Sequence, residues 1–430
     1  MEAPAQITGL GHEHRLMVDT EIDRTLRRAF EGLFLTGRRV LVVIPDHTRT
    51  APIDTAFKVI YDVLADRVKK LDYLIALGTH PAMSQEMIYQ RVGITAEEHK
   101  KKYSKVQFFN HLWKDPHALV EIGRFSKGEV GEITEGRFEL EVSVTVNKMV
   151  LDYDLLLIVG PVFPHEVVGF SGGNKYLFPG IAGQHIIDLF HWLGAVITNP
   201  VIIGKKWTPV RAVVDRAAAM VKAQKHCIAL VVRDDGLAGI YFGTPEQAWS
   251  QAANLSQKLH ILYKEQPFHT VLSCAPRMYD DIWTAGKCMY KLEPVVADGG
   301  TLIIYAPHVT EISATHGHIL HEVGYHTRDY FLRNWDRFSH YPWGVLAHST
   351  HVKGIGTCEG GVEKPRVNVV LATGIPKEVC DQVNLGYMDP RSINPSDYAN
   401  RESEGVLYVP KAGEMLYRLR NAPPELGGPR

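Results

Sequence analysis

The sequence predicts an α/β protein of two α/β domains, built on mostly parallel sheets, with the active site in the cleft between them. Three observations predict it. Short β-branched apolar runs alternate with amphipathic helical segments along most of the chain, the order that βαβ units impose. The length of 430 residues exceeds one ordinary core. The strand–helix pattern also restarts around residues 262–268, LYKEQPF. The expected boundaries are 1–266, 267–405, and a C-terminal segment, 406–430, packing back on the first domain.

In chain order, VLVVIP (40–45) reads as a buried strand, because a β-branched run ends at a turn signal. Residues 52–69 space their apolar positions for a helix with a proline in the first turn. LDYLIALG (71–78) is the next strand and 84–93 the next helix, followed by a strand at 152–160, a helix around 184–193 and a strand at 227–232. In the second half we expect strands at 268–276, 299–307, 367–376 and 405–410, and a helix over 281–296. Ligands of such sheets bind beyond the carboxyl ends of the strands. DHTRT after 40–45, GTH after 71–77 and the loop after 152–160 all belong there.

Composition narrows the partners. The chain is 45% hydrophobic and 22% charged with a formal net charge of −1, so no basic field calls for nucleic acid or an anionic membrane. The longest apolar runs are strand-length and the N-terminus shows no signal-peptide pattern, so the expectation is a cytoplasmic protein with no membrane span. Five scattered cysteines without a CxxC read as reduced thiols. The 21 histidines tilt toward metal or proton chemistry.

Several residues could carry that chemistry. Arg49, at a strand's carboxyl end, offers a fork for a carboxylate or phosphate, while Asp46 beside it could equally cap the next helix. His80 in Gly78-Thr79-His80 sits at the site edge, where a lone histidine is often structural. In FPHEVVGFSGGNKYLFPG (163–180), Ser171, Gly172 and Gly173 can turn backbone amides to an anion, or form a plain turn with Lys175 solvated. Thr284 and Lys287 follow Trp283 on the first helix of the second half. His316, His318, His348 and His351 have ligand-like spacings but no convincing carboxylate or thiolate partner.

Taken together, DHTRTAP, GTH and the stretch HxxxGxSGGxKxxxPG, with a histidine sixteen residues past the lysine, resemble the nickel-pincer-nucleotide-dependent lactate racemase family. The resemblance runs over nearly the whole chain. It implies a 2-hydroxy acid racemase or epimerase acting through a transient 2-keto acid, by hydride transfer to a nickel-pincer nucleotide (pyridinium-3-thioamide-5-thiocarboxylic acid mononucleotide) joined covalently to Lys175. It implies a cofactor-binding first domain and a substrate-side second domain. His191 would ligate nickel, His80 and His165 would be the acid/base pair, and Asp46, Thr48, Ser171, Gly172 and Gly173 would bind cofactor. Arg49, Lys287, Thr284 and Trp283 would meet the substrate. Maturation would need pincer-synthesis enzymes as partners. Two histidines suit a proton handled on either face of the substrate carbon near neutral pH.

The chain departs from the family at its substrate end. GTHPA stands where GTHRP is usual, Thr284 where the lactate enzyme has glutamine, and Trp283 where tyrosine is typical. These departures widen the expected substrates from lactate to short aliphatic 2-hydroxy acids or an aldonate such as gluconate. The rival readings are a nicotinamide-type 2-hydroxy acid dehydrogenase, which lacks its GxGxxG signature here, a nucleotide- or phosphate-binding module without catalysis, and a zinc hydrolase built on His316–His351.

Overall fold

Apolar runs too short for helices become the strands of two sheets in the computed structural model, which describes residues 7–234 and 236–428. The chain divides into two units: one of residues 1–163, 170–187 and 211–259, the other of 164–169, 188–210 and 260–430.

The first unit is built on a seven-stranded sheet. Its strands are β1 (Thr8–Gly11), β2 (Arg39–Pro45), β3 (Lys70–Ala76), β4 (Gln107–Asn110), β5 (Leu155–Pro161), β6 (Gln224–Arg233) and β7 (Gly236–Gly243). Their order is β1-β7-β6-β5-β2-β3-β4, parallel from β6 to β4 and antiparallel at β1 and β7. The chain runs from β2 through β3 to β4 in one direction and returns to place β5 on the other side of β2. The carboxyl ends of β2 and β5 therefore flank a switch point, where open α/β sheets bind ligands. Alternate residues of the central strands, Val40, Val42, Ile44, Leu155, Leu157 and Val159, share one buried core. Helix α1 (Ile53–Leu64) covers that face. Its Phe57 packs edge-on against Tyr73 at 5.2 Å between ring centroids.

His111, just past β4, ties this unit's loops together. It is 1% exposed, its Nε2–H donates to the Ala182 carbonyl at 2.9 Å, and its Nδ1 accepts from the Asn147 amide at 3.2 Å.

The second unit holds a five-stranded parallel sheet: β8 (Phe268–Cys274), β9 (Val296–Ala306), β10 (Asn368–Thr373), β11 (Gly386–Tyr387) and β12 (Val406–Val409). The order is β11-β10-β9-β8-β12. Three expectations need correction. The segment from residue 406 belongs to the second unit: β12 pairs with β8, and Leu416–Leu419 pairs with Ile261–Lys264. The helix expected over 281–296 is three short pieces, Ile282–Ala285, Lys287–Tyr290 and Glu293–Val295, because Gly286 and Pro294 interrupt it. The helix expected over 52–69 ends at Leu64. Among the described residues no helix is long and apolar enough to cross a membrane.

Burial lowers the His111 pKa to about 4, so the native state holds it neutral while the unfolded chain protonates it near 6.5. Stability from this site is therefore complete above about pH 6.5 and drains away as pH falls toward about 4. Urea midpoints across that range should fall for the wild type and fall less for His111→Gln; equal slopes would refute the assignment.

Candidate functional site

β2 hands the chain at Pro45 to Asp46, whose carboxylate is 4% exposed. Its Oδ1 accepts from the Thr48 amide at 3.0 Å and the Thr48 hydroxyl at 2.7 Å, an Asx turn that fixes the loop. Its Oδ2 lies 2.5 Å from His80 Nδ1, on the loop after β3. Burial pushes the Asp46 carboxyl up, but His80, Arg49 and the Thr48 hydrogen bond together hold it well below the usual carboxylate range. Asp46 is thus ionised and, by the hydrogen bonding, places the His80 proton on Nδ1, leaving the Nε2 lone pair to accept another.

Sequence reasoning missed Arg91, the last residue of a helix (Gln85–Arg91). Its guanidinium donates to the carbonyls of Pro45, Arg49 and Ala51 at 3.4, 2.9 and 3.2 Å, and so grips the Asp46 loop at both ends. A basic residue in a helix's last turn is commonplace, so nothing local marked it.

The loop carrying Lys175 is fastened from the scaffold side. Of the three residues expected to face a phosphate, Ser171 gives its amide to Phe163 O at 2.8 Å and its hydroxyl to Pro161 O at 3.2 Å. Gly173 bonds through its backbone to Cys227. What the structure shows these residues doing is shaping the loop. Gly172 and Gly173 have φ of 86° and 59°, and an added Cβ would meet Val162 at 2.6 Å or Trp249 at 2.9 Å, so only glycine fits. Arg211, 1% exposed, donates to Phe170 O at 2.5 Å and stacks on the Trp249 ring at 4.1 Å. Asn174 donates to Asp215 at 3.0 Å and Glu246 at 2.7 Å. These clamps come from later helices (Pro209–Ala219 and Pro245–His260), too far along the chain for spacing to reveal. Tyr176, the residue after Lys175, packs on β5 at Gly160, where a Cβ would come within 2.4 Å of its ring. The Gly78 amide donates to Gly180 O at 2.9 Å, joining the GTH loop to the end of the Lys175 loop.

In the second unit, His165 is 8% exposed. The Val167 amide donates to its Nδ1 at 3.1 Å, and Glu166 Oε2 lies 3.3 Å from the same nitrogen. His191 lies on α2 (Gln184–Ile197), one residue before Trp192. Trp192 is 1% exposed and stacks on Trp335 at 5.1 Å, which anchors this stretch of the helix. Asp188, one turn earlier, accepts from the Gly344 amide at 3.0 Å, bringing the start of the helix Trp343–Lys353 beside His191.

The second-unit histidines form stacks. Trp283 packs on His348 at 4.2 Å and on His316 at 4.5 Å between centroids, and His351 meets Tyr290 edge-on. Burial holds His348 well below its usual pKa and His351 at about 3, so both are neutral. His348 also feels His191 electrostatically. Among the described residues, no three His, Cys, Asp or Glu side chains stand close enough to hold a metal by themselves. The Thr284 hydroxyl donates to Asp281 Oδ1 at 2.9 Å, within a helix cap. The Lys287 ammonium lies 4.4 Å from the Tyr279 ring centroid.

Comparison with known proteins places these residues in context. Residues 12–201 match the lactate racemase N-terminal domain. A lactate racemase of Thermoanaerobacterium thermosaccharolyticum is 26% identical over 281 residues, 63% of this chain and 60% of that protein. One of Lactiplantibacillus plantarum is 25% identical over 176 residues, 40% of this chain and 36% of that protein. The matches thus span less than two thirds of either relative. A crystal structure of a Thermotoga maritima protein aligns at a TM-score of 0.87 and 33% identity, over 96% of this chain and 100% of that one. The lactate racemase apoprotein of T. thermosaccharolyticum aligns at a TM-score of 0.68 and 18% identity over 92% of both chains, a likeness of fold.

Arg91→Met should leave three loop carbonyls without their donor and cost about 2–3 kcal/mol, seen as a lower urea midpoint. Arg91→Lys keeps the charge but not the fork, so its loss should be intermediate. A midpoint unchanged in Arg91→Met would show that the grip is idle.

Proposed function

We propose, for a chain that is a homologue of lactate racemase with that family's N-terminal domain at residues 12–201, a racemase or epimerase that inverts C2 of a 2-hydroxy acid. The observation that carries this reading is the pairing of His80 with buried Asp46, which leaves Nε2 of the imidazole as a proton acceptor beside the family's loops. In the proposed reaction His80 takes the substrate hydroxyl proton, and Asp46 holds the resulting imidazolium by charge and hydrogen bond. His165 serves as the second proton-handling group. Arg49 and Lys287 are the cations proposed to hold the substrate carboxylate, Arg49 as a fork and Lys287 as a point charge. Trp283 and Thr284 are proposed to border the rest of the substrate.

The residues fit a nickel-pincer nucleotide by the chemistry of the donors. Lys175 stands on a loop held by glycine geometry and by the hydrogen bonds of Asn174 and Arg211, as an attachment point requires. His191 offers an imidazole, and with no self-sufficient side-chain cluster among the described residues, nickel there would draw its other donors from the bound group. When bound through Lys175, the nucleotide supplies a reversible hydride acceptor. The proposed substrate is a short aliphatic 2-hydroxy acid or an aldonate such as gluconate, because the substrate-end residues Trp283 and Thr284 differ from those of the lactate enzyme.

The test is intact mass and metal analysis of protein co-produced with pincer-synthesis enzymes. The wild type should carry a covalent mononucleotide adduct with nickel. Lys175→Ala should lose both, and His191→Ala should keep adduct with less nickel. No adduct and no nickel, with the synthesis enzymes demonstrably active, would refute the racemase reading and favour an anion-binding module. A panel of 2-hydroxy acids, followed by chiral chromatography, then assigns the substrate.

A further inference from the structure

The second sheet has a switch point of its own. From β8 the chain runs through β9 and β10 to β11 in one direction, then returns to place β12 on the other side of β8. Open α/β sheets bind ligands beyond the carboxyl ends of their strands at such a point. A cavity of about 400 Å³ lies there, large enough for a small molecule. Cys274 and Ala275 at the end of β8 line it, together with Tyr305 near the end of β9, Arg277, Pro307 and His308. The Cys274 thiol is hydrogen-bonded to Tyr408 on β12, which sets the cavity beside the switch. The reaction proposed above uses none of Arg277, Tyr305 and His308.

The polar groups of the cavity are a cation, a phenol and an imidazole, with no carboxylate among the lining residues. Arg277 is exposed and has no hydrogen bond or ion pair among the described residues, so its whole fork is uncommitted. Its backbone is nevertheless held in a turn, because the Tyr279 amide donates to the Pro276 carbonyl at 3.0 Å and Tyr279 is buried. The same Tyr279 fixes His308, whose Nε2–H donates to the Tyr279 carbonyl at 3.1 Å. With the proton on Nε2, Nδ1 of the neutral ring is an acceptor, and no other group of the described residues bonds to it. The Tyr305 hydroxyl also has no hydrogen-bond partner among them. Burial pushes the Cys274 thiol up to about 11, so it adds a neutral wall beside Ala275 and Pro307.

A ligand that satisfies all three polar groups gives anionic oxygens to the guanidinium and the phenol, and a hydroxyl proton to the imidazole. We infer that this cavity is a second, non-covalent site for a small hydroxy acid. Arg277 and Tyr305 hold its carboxylate, His308 Nδ1 accepts from its hydroxyl, and its carbon chain lies on the apolar wall. Inorganic phosphate offers the same oxygens and a proton but no carbon to set against that wall. The site needs no cofactor, so it stands or falls apart from the racemase reading.

The test follows the ring nitrogens of His308 in full-length protein labelled with 15N-histidine, with its signals assigned by their loss in His308→Gln. Titration with 2-hydroxybutyrate should shift them saturably, equally in protein made with and without the pincer-synthesis enzymes. Arg277→Gln, at an exposed position, should raise the Kd roughly 10-fold or more. Butyrate, which lacks the hydroxyl, and phosphate, which lacks the carbon chain, should each bind several-fold more weakly. Lys287→Ala should leave the Kd as it is. No shift in the wild type, or an unchanged Kd in Arg277→Gln, overturns the inference. Butyrate or phosphate binding as tightly as 2-hydroxybutyrate overturns the assignment to a hydroxy acid. Equal weakening by Lys287→Ala would make this one site with the proposed substrate contact and overturn its separateness. Failure of the protein to acquire adduct and nickel would sink the racemase reading and leave this titration unaffected.

Discussion

A charge taken out of water organises the first unit's candidate site. Burying the Asp46 carboxylate carries a large desolvation cost, and the protein offsets it with the Thr48 amide and hydroxyl, the His80 ring and the nearby guanidiniums of Arg49 and Arg91. Each of those partners thereby acquires a fixed place. The loop after β2 is rigid because its own side chain must be satisfied, and His80 is aimed because it is one of the groups that satisfies it. Chemistry and stability here have the same cause, so substitutions that damage one are expected to damage the other.

The Lys175 loop solves a related problem by another route. Its glycines adopt positive φ and approach neighbouring atoms too closely for any side chain. Such backbone is flexible in isolation. Arg211, Asn174, Asp215, Glu246 and Trp249 remove that freedom through a polar network beneath it that runs from buried Arg211 and Asn174 out to exposed Glu246. A network of this kind specifies one conformation when its members are paired, which is what a covalent attachment point would need.

The parts of the architecture written as short-range pattern were legible. VLVVIP and the run at 152–160 declared buried strands by composition, their alternation with helices made them parallel, and their order placed DHTRT, GTH and the glycine loop at one sheet edge. Where the pattern was local but broken by a single residue, as at Gly286 and Pro294, helical periodicity carried the reading past the true break. The boundary expected at 405/406 cut through the last strand, because Val406–Val409 announces a strand but not its neighbour; register with Thr270–Ser273 is a long-range property. Arg91 and Arg211 stayed hidden for the same reason. Their meaning lies in the carbonyls and rings they reach, and a charged residue in a polar stretch looks like solvated surface until those partners are known.

The division of the chain bears on how the protein can be handled and made. The backbone passes from one unit to the other five times, at 163/164, 169/170, 187/188, 210/211 and 259/260. No single cut yields a complete unit, so neither half is a candidate for expression alone as a continuous fragment. During synthesis the first unit also lacks two strands of its sheet, β6 and β7, until the ribosome has passed residue 243. Its central strand β5 therefore waits without one of its neighbours while the segment that carries Lys175, next in the chain, has already been made.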